Sequence, residues 1–307
     1  MSLNESVKNE VLRCLNESEV VTAEPQRNKR PSDATEWTFA DWFGEDLTGK
    51  TYDGNLYCHN IGFDSLKGAP EKVNGDFSCL HNHLTSLEGA PEKVEGDFSC
   101  SENQLTSLEG APKEVNGNFH CVDNQLTSLE GAPKKIGGSF SCSCNKLTSL
   151  KGAPEKVEGD FSCSRNQLTS LEGAPKEVGG DFNCDYNKLT SLEGAPDKIN
   201  GDLDCRDNIN IKIGQGFKFP EALGKIIVDL SVKKSIPPEM RNKIKGVQSE
   251  SEKRTSKKIN GNTLSKCLSH VDGIINSFKN VGFSEDDDVI KAARNFSSIL
   301  EKYRSKQ

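Results

Sequence analysis

Apolar and polar residues alternate over a short stretch that recurs every 21 residues through the middle of the chain. In one copy, Phe98 and Cys100 alternate with polar neighbours, and this period of two predicts a short strand with one buried face. Eight cysteines keep the same strand position, from Cys58 to Cys205. A fixed period between about 20 and 50 residues predicts a solenoid, in which each unit buries its apolar side against its neighbours.

The second half of the repeat predicts a turn followed by an extended return. In the same copy, Leu105 and Leu108 follow the strand, and the segment 110–112, Gly-Ala-Pro, excludes a helix on the way back. We therefore expect coils about 4.8 Å apart that form one parallel sheet, with extended or polyproline-like return legs. One asparagine per coil falls at the buried turn, where its amide must bond backbone groups of adjacent coils. The expected asparagine ladder consists of Asn82, Asn103, Asn124, Asn145, Asn166 and Asn187.

The motif Phe-x-Cys-x-x-Asn-x-Leu-x-x-Leu resembles the core signature of the leucine-rich repeat. It recurs in six near-identical copies from Phe77 to Leu192. The short period is most similar to the bacterial-effector subtype and to arrays encoded by bacteria and tailed phages, although Gly-Ala-Pro stands where that subtype has Leu-Pro. The resemblance implies a leucine-rich-repeat horseshoe whose concave strand face binds another protein. Together with the patterns at its two ends, the array predicts an α/β solenoid of about eight 21-residue coils with helical flanks.

Aromatic and helical patterns flank the array. Trp37, Phe39, Trp42 and Phe43 are expected to plug the first coil, with an exposed patch for a partner as the alternative. Apolar residues at three-four spacing predict a helix over 220–232 that caps the last coil. The predicted organisation is an amphipathic helix and linker over 1–35, an aromatic cap over 36–53, the solenoid over 54–216, a cap helix and extension over 217–247, a linker over 248–262 and a helical hairpin over 263–307.

Charge divides the chain into an acidic solenoid and a basic tail. Residues 54–216 carry a net charge of −9, whereas residues 217–307 carry +7. The basic tail indicates either a solvated helical surface or a nucleic-acid-binding region. Because the sequence contains no phosphate loop, hydrolase motif or zinc spacing, we assign no catalytic residue, no cofactor and no metal.

Cysteine usage and the N-terminus bear on location. Residues 1–10 lack the apolar core of a signal peptide, and no apolar run reaches the length of a membrane span. Neighbouring cysteines of the array would have parallel side chains, a poor geometry for disulfides, so buried reduced thiols are expected. These features favour a reducing cytoplasm, of a bacterium or an infected bacterium, and no membrane partner.

The predicted binding surface consists of outward strand positions and of positions that vary in an otherwise copied frame. Serines dominate the centre of the outward columns. An adjacent column is nearly all aspartate, and its carboxylates either attract cations or a basic partner, or accept hydrogen bonds from backbone amides. The candidate partner-binding residues are Tyr57, His59, His81, Glu102, His120, Asp123, Arg165, Asp181, Asp185, Tyr186, Asp204, Arg206 and Asp207.

The leading functional hypothesis is a non-enzymatic protein-protein interaction module, a bacterial or phage protein that binds and modulates a host or partner protein through the concave or rim face. The first alternative is a nucleic-acid-associated protein that uses the basic C-terminal helices. The second alternative is a phage particle or assembly component, and self-association through the C-terminal helices is a further hypothesis.

Overall fold

Each 21-residue repeat forms one turn of a parallel β-solenoid, as shown by the pairing of Phe140 with Phe161 on the next turn. The structure is a computed structural model that describes residues 20–21, 25, 27–208, 211–213, 218–229, 232–233, 236, 241–242 and 244–247. The solenoid is therefore confirmed. The predicted N-terminal helix, the linker over 248–262 and the hairpin over 263–307 lie outside the described residues.

The strand predicted from alternation forms a ten-stranded parallel sheet. Phe98 and Cys100 point inward and are fully buried, as are their equivalents on other turns. The strands of this sheet are β3 (Leu56–Tyr57), β5 (Phe77–Ser78), β7 (Phe98–Ser99), β9 (Phe119–His120), β11 (Phe140–Ser141), β13 (Phe161–Ser162), β15 (Phe182–Asn183), β17 (Leu203–Asp204), β18 (Ile226–Asp229) and β19 (Ile244–Val247).

The return leg carries a second short strand in each turn, where an extended or polyproline-like segment was expected. In one turn it comprises Lys93 and Val94, with the valine buried and the lysine at the surface. Two further parallel sheets result, of six and three strands. Their strands are β1 (Val20–Val21), β2 (Thr51–Tyr52), β4 (Lys72–Val73), β6 (Lys93–Val94), β8 (Glu114–Val115) and β10 (Lys135–Ile136), then β12 (Lys156–Val157), β14 (Glu177–Val178) and β16 (Lys198–Ile199).

A file of stacked phenylalanines fills the core beneath the ten-stranded sheet. From Phe77 to Phe182, neighbouring ring centroids lie 5.2–5.7 Å apart. Burial of each ring contributes about 1.5–3 kcal/mol. Beside this file runs the cysteine file, in which Cys58 donates its thiol hydrogen to the carbonyl of Ser78 on the next turn, at 3.1 Å.

The predicted asparagine ladder is confirmed. The amide nitrogen of Asn103 donates to the carbonyls of Cys79 and Cys100 at 3.0 and 3.1 Å, and its oxygen accepts the backbone N–H of Leu84 at 3.0 Å. Asn208 extends the ladder by one turn, because it makes the same set of bonds. Each side chain thus joins two turns through backbone groups that would otherwise be buried without partners.

The aromatic cap is buried, so the alternative of an exposed aromatic patch is wrong. Trp37, Phe39, Trp42 and Phe43 are at most 4% exposed. A short helix, α1 (Phe39–Phe43), begins at a capping box formed by Thr38 and Asp41. Its rings pack on Phe63 of the first turn, at centroid distances of 5.7 Å from Trp42 and 6.2 Å from Phe39.

The expected C-terminal cap helix over 220–232 is wrong where Ile226–Asp229 form strand β18. This strand pairs in parallel with β17 and β19, so the sheet continues past the predicted limit at residue 216. Three β-branched residues in a row favour a strand, and the open edge of β17 offers backbone partners that a helix would leave unused. Among the described residues, no helix has the length and apolarity needed to cross a membrane.

Candidate interaction surface

The outer face of the ten-stranded sheet carries two columns of side chains. Most of them are half-buried, while Ser78, Ser101 and Asp204 are buried and Tyr57 and His59 are exposed. Small hydroxyls occupy the centre, where the Ser143 and Ser162 oxygens lie 2.8 Å apart. Serines therefore predominate in the centre of the face, with His120 among them.

A row of residues with left-handed backbone follows the strands, one residue per turn. Their φ angles lie between 52° and 57°. We call this set the left-handed row: Asn60, His81, Glu102, Asp123, Cys144, Arg165, Tyr186 and Asp207. This conformation suits glycine best and is tolerated by asparagine, aspartate and histidine, whereas it costs other L-residues about 1–2 kcal/mol each. The sequence showed that seven of these positions vary, but the backbone conformation comes only from the structure.

Neighbours in the left-handed row contact one another across turns. His81 Nδ1 lies 2.9 Å from a carboxylate oxygen of Glu102, with both side chains exposed. The Arg165 guanidinium lies 4.2 Å from the centre of the Tyr186 ring. A cation over an aromatic face holds both groups in a defined position, which lowers the entropy that they lose on binding a partner.

Charged residues are concentrated at the C-terminal end of the sheet face. The Arg206 Nε donates to both carboxylate oxygens of Asp204, at 2.9 and 3.0 Å. On the preceding turn Asp185 accepts a hydrogen bond from Ser164. Burial raises the pKa of Asp185, and the hydrogen bonds to Asp204 raise the pKa of Arg206. Asp207 of the left-handed row lies on the same turn as Arg206, so four predicted site residues come together here.

At the N-terminal end, Tyr57 and His59 form an aromatic pair with ring centroids 5.5 Å apart. The Tyr57 hydroxyl donates to Asp76 at 2.7 Å, and this carboxylate raises the pKa of the phenol. His120 stands in the middle of the face and is half-buried. The predicted site residues of the sheet face therefore lie at both of its ends, with His120 between them.

The aspartate column, which includes the candidate Asp181, has a structural role. Asp181 Oδ1 accepts the backbone N–H of Asp202 at 2.8 Å, and the Asp181 N–H is donated to Asp160 at 2.8 Å. The glycine before each aspartate makes room, because a Cβ at Gly201 would lie 2.1 Å from Asp181 Oδ1. The sequence left two alternatives for this column, attraction of a cation or basic partner and hydrogen bonding to backbone amides. The structure contains the hydrogen bonds to backbone amides.

The thiols differ in exposure. Nine cysteines among the described residues are free, and all of these except Cys144 are buried. Burial raises the pKa of Cys79 to about 12. The raised pKa keeps the buried thiols in the unreactive protonated form at neutral pH. In the part of the chain that the structure describes, no three His, Cys, Asp or Glu side chains are grouped to hold a metal ion.

A basic groove at the N-terminal end was not predicted. It brings Arg27 and Lys29 of the segment before the cap next to Tyr57 and His59 of the first turn. The run Arg-Asn-Lys-Arg over 27–30 is visible in the sequence, but only the fold places it beside an aromatic pair.

Comparisons with protein-family models, with curated proteins and with solved structures found no match for this chain.

Proposed function

We propose that this protein is a non-enzymatic protein-binding module that contacts its partner through the left-handed row and the adjoining columns of the sheet. The conformation of that row supports the proposal most directly. Positions that favour glycine or asparagine carry Glu, Arg and Tyr, at a cost of about 1–2 kcal/mol per residue. Retention of strained side chains on a regular scaffold is typical of functional positions.

The resemblance to leucine-rich repeats supports the same proposal at the level of architecture. A horseshoe of the short bacterial type, with its strand face turned to a protein, is part of the proposal. The repeated Phe-x-Cys strand and the asparagine ladder support it, since the family signature contains both positions.

Arg165 and Tyr186 are the proposed centre of the contact surface. Arginine and tyrosine are enriched among residues that dominate binding energy, especially when neighbouring groups hold them in place. The pair stands beside Asp185, Asp204 and Arg206, which would select a partner by charge.

Partner capture with a doubly substituted full-length chain tests the proposal. In Arg165→Asn/Tyr186→Asn the contact groups are lost, while asparagine suits the left-handed backbone, so the fold should be as stable as before or more so. The matched control, Glu155→Asn/Lys176→Asn, removes an exposed ion pair of 3.5 Å that lies away from the left-handed row.

Each chain is incubated with bacterial lysate, and retained proteins are identified by mass spectrometry. We expect the unchanged chain and the control to retain a set of proteins that the Arg165/Tyr186 variant no longer retains. The same retained set for all three chains would contradict the proposal, since the row would then make no contact.

Nucleic-acid binding by the basic C-terminal region is the second candidate, favoured by its net charge of +7 over residues 217–307. Most of this region lies outside the described residues. Nuclease treatment of the lysate separates the two functions. If nuclease abolished the retention while the Arg165/Tyr186 substitutions left it unchanged, the function would lie in the basic region.

A further inference from the structure

A groove at the N-terminal end of the solenoid lies at the opposite end of the array from Arg165 and Tyr186, the proposed centre of the protein contact. It has a volume of about 450 Å³ and lies between residues 27–30 and the outer face of the first turn. Tyr57 and His59 line it, together with the buried Trp42. A volume between about 300 and 1,000 Å³ is typical of sites for small molecules.

Tyr57 gives this groove a fixed aromatic wall. It is the one large hydrophobic side chain classed as exposed in the described part of the chain, at 51%. Its hydroxyl donates to Asp76 at 2.7 Å and accepts from the Asn55 amide at 3.0 Å. These bonds hold the far end of the ring, so its position is set before any ligand arrives.

Arg27 and Lys29 give the groove positive charge. Both are exposed, and within the described residues no ion pair involves either of them. The third basic residue, Arg30, is neutralised by Asp64 at 2.9 Å. Arg27 also has a left-handed backbone, with φ 55°, a conformation of the kind that is concentrated at functional positions.

Two exposed cations beside an aromatic ring match the chemistry of a nucleotide. A base stacks on an aromatic face, and a phosphate accepts charge-assisted hydrogen bonds from guanidinium and ammonium groups. An acidic peptide would use the cations but would leave the aromatic wall without a planar partner. We propose that this groove binds a nucleotide, with the base on Tyr57 and the phosphate on Arg27 and Lys29.

Titration calorimetry of the full-length chain with adenosine monophosphate tests this site. We expect Tyr57→Ala to weaken binding about tenfold through lost stacking. Arg27→Gln/Lys29→Gln should weaken it about tenfold or more through lost phosphate contacts. Adenosine and inorganic phosphate should each bind more weakly than the monophosphate, because each keeps only one of the two contacts.

Lys134→Gln/Lys188→Gln is the matched control, since it removes the same charge from exposed lysines on distant turns. Its affinity for the monophosphate should equal that of the unchanged chain. Equal weakening in the control and in the Arg27/Lys29 variant would overturn the proposal, because general charge would then explain it. The proposal would also be overturned if no binding were detected at millimolar monophosphate, or if Tyr57→Ala left the affinity unchanged.

A ten-nucleotide single strand of oligoadenylate distinguishes the source of the ligand. Binding about tenfold tighter than the monophosphate, with the same dependence on Tyr57, supports a nucleotide within a strand. Equal affinity supports a free nucleotide. Oligonucleotide binding that is unchanged in both groove variants overturns the proposal and places the nucleic-acid contact elsewhere.

Discussion

The left-handed row predicts that the same substitution will have different effects on stability at two nearby glutamates. Glu102 belongs to the row, with φ 54°, whereas Glu109 is exposed and has no positive φ. Glycine at residue 102 adopts the left-handed conformation without strain, which stabilises the folded chain by about 1–2 kcal/mol. Glycine also loses more conformational freedom on folding, which destabilises the folded chain by about 0.5–1 kcal/mol. At residue 109 only the entropic cost applies.

The expected difference in unfolding free energy between the two variants is about 1–2 kcal/mol in favour of Glu102→Gly. The exposed pair between Glu102 and His81 works against this gain by less than about 1 kcal/mol. Measurement at about 0.5 M salt screens that pair and isolates the backbone term.

Thermal unfolding followed by circular dichroism measures the difference. A change of 1 kcal/mol corresponds to a shift of about 2–4 °C for a domain of 150–250 residues. Glu102→Gly should melt at the same temperature as the unchanged chain or above it, and Glu109→Gly should melt below. If both variants lost stability equally, the left-handed conformation would carry no strain, and the main support for the proposed binding row would fail.

Three further predictions concern the scaffold. Gly117→Ala should cost about 1–3 kcal/mol, because the new Cβ would lie 2.3 Å from an aspartate oxygen of the preceding turn; an unchanged urea midpoint would contradict this. Asn124→Ala should cost about 1–3 kcal/mol, since the buried N–H of Leu105 loses its partner and the carbonyls of Cys100 and Cys121 each lose one of two asparagine donors. A loss below about 1 kcal/mol in the same urea assay would contradict the ladder. In a Cys14→Ser/Cys267→Ser chain, a maleimide should label only Cys144 before unfolding and all nine remaining thiols after it; native labelling at several sites would contradict the buried file.

The ten-stranded sheet was predictable because the repeat places chemically equal residues at equal positions. Phe98 and Cys100 face inward on every copy of the strand, so a single alternation describes most of the sheet. Asn103 was predictable for the same reason. A buried amide at a turn has few possible partners other than the backbone of adjacent turns.

The strands of the return legs, such as β6, and the C-terminal strand β18 were not predictable from periodicity. In the return leg around strand β6, Val94 is the one apolar residue between Pro91 and Gly96, so no alternation of apolar and polar residues can be established there. The apolar residues around Ile226 fit a helical face and a strand equally well in spacing. The open edge of β17 decides between them, and that edge exists only once the solenoid has formed.

The sequence indicated which repeat positions vary, but not the backbone conformation that they share or the contacts that the fold creates between distant segments. Variation at Arg165 and Tyr186 was visible, whereas their shared backbone conformation was not. The groove joins residues 27–30 to Tyr57, about thirty positions apart and outside any common repeat register.

The two proposed sites differ in the size of ligand that each can serve. From His81 to Asp207 the left-handed row crosses seven turns, and at about 4.8 Å per turn its length is about 30 Å. That length matches the width of a standard protein interface, which covers about 800 Å² on each partner. The N-terminal groove of about 450 Å³ instead has the size of a small-molecule site. Because every turn adds one side chain to the row, the number of turns sets how much of a protein partner it can contact, while the groove would be unaffected by a turn added to or removed from the middle of the array.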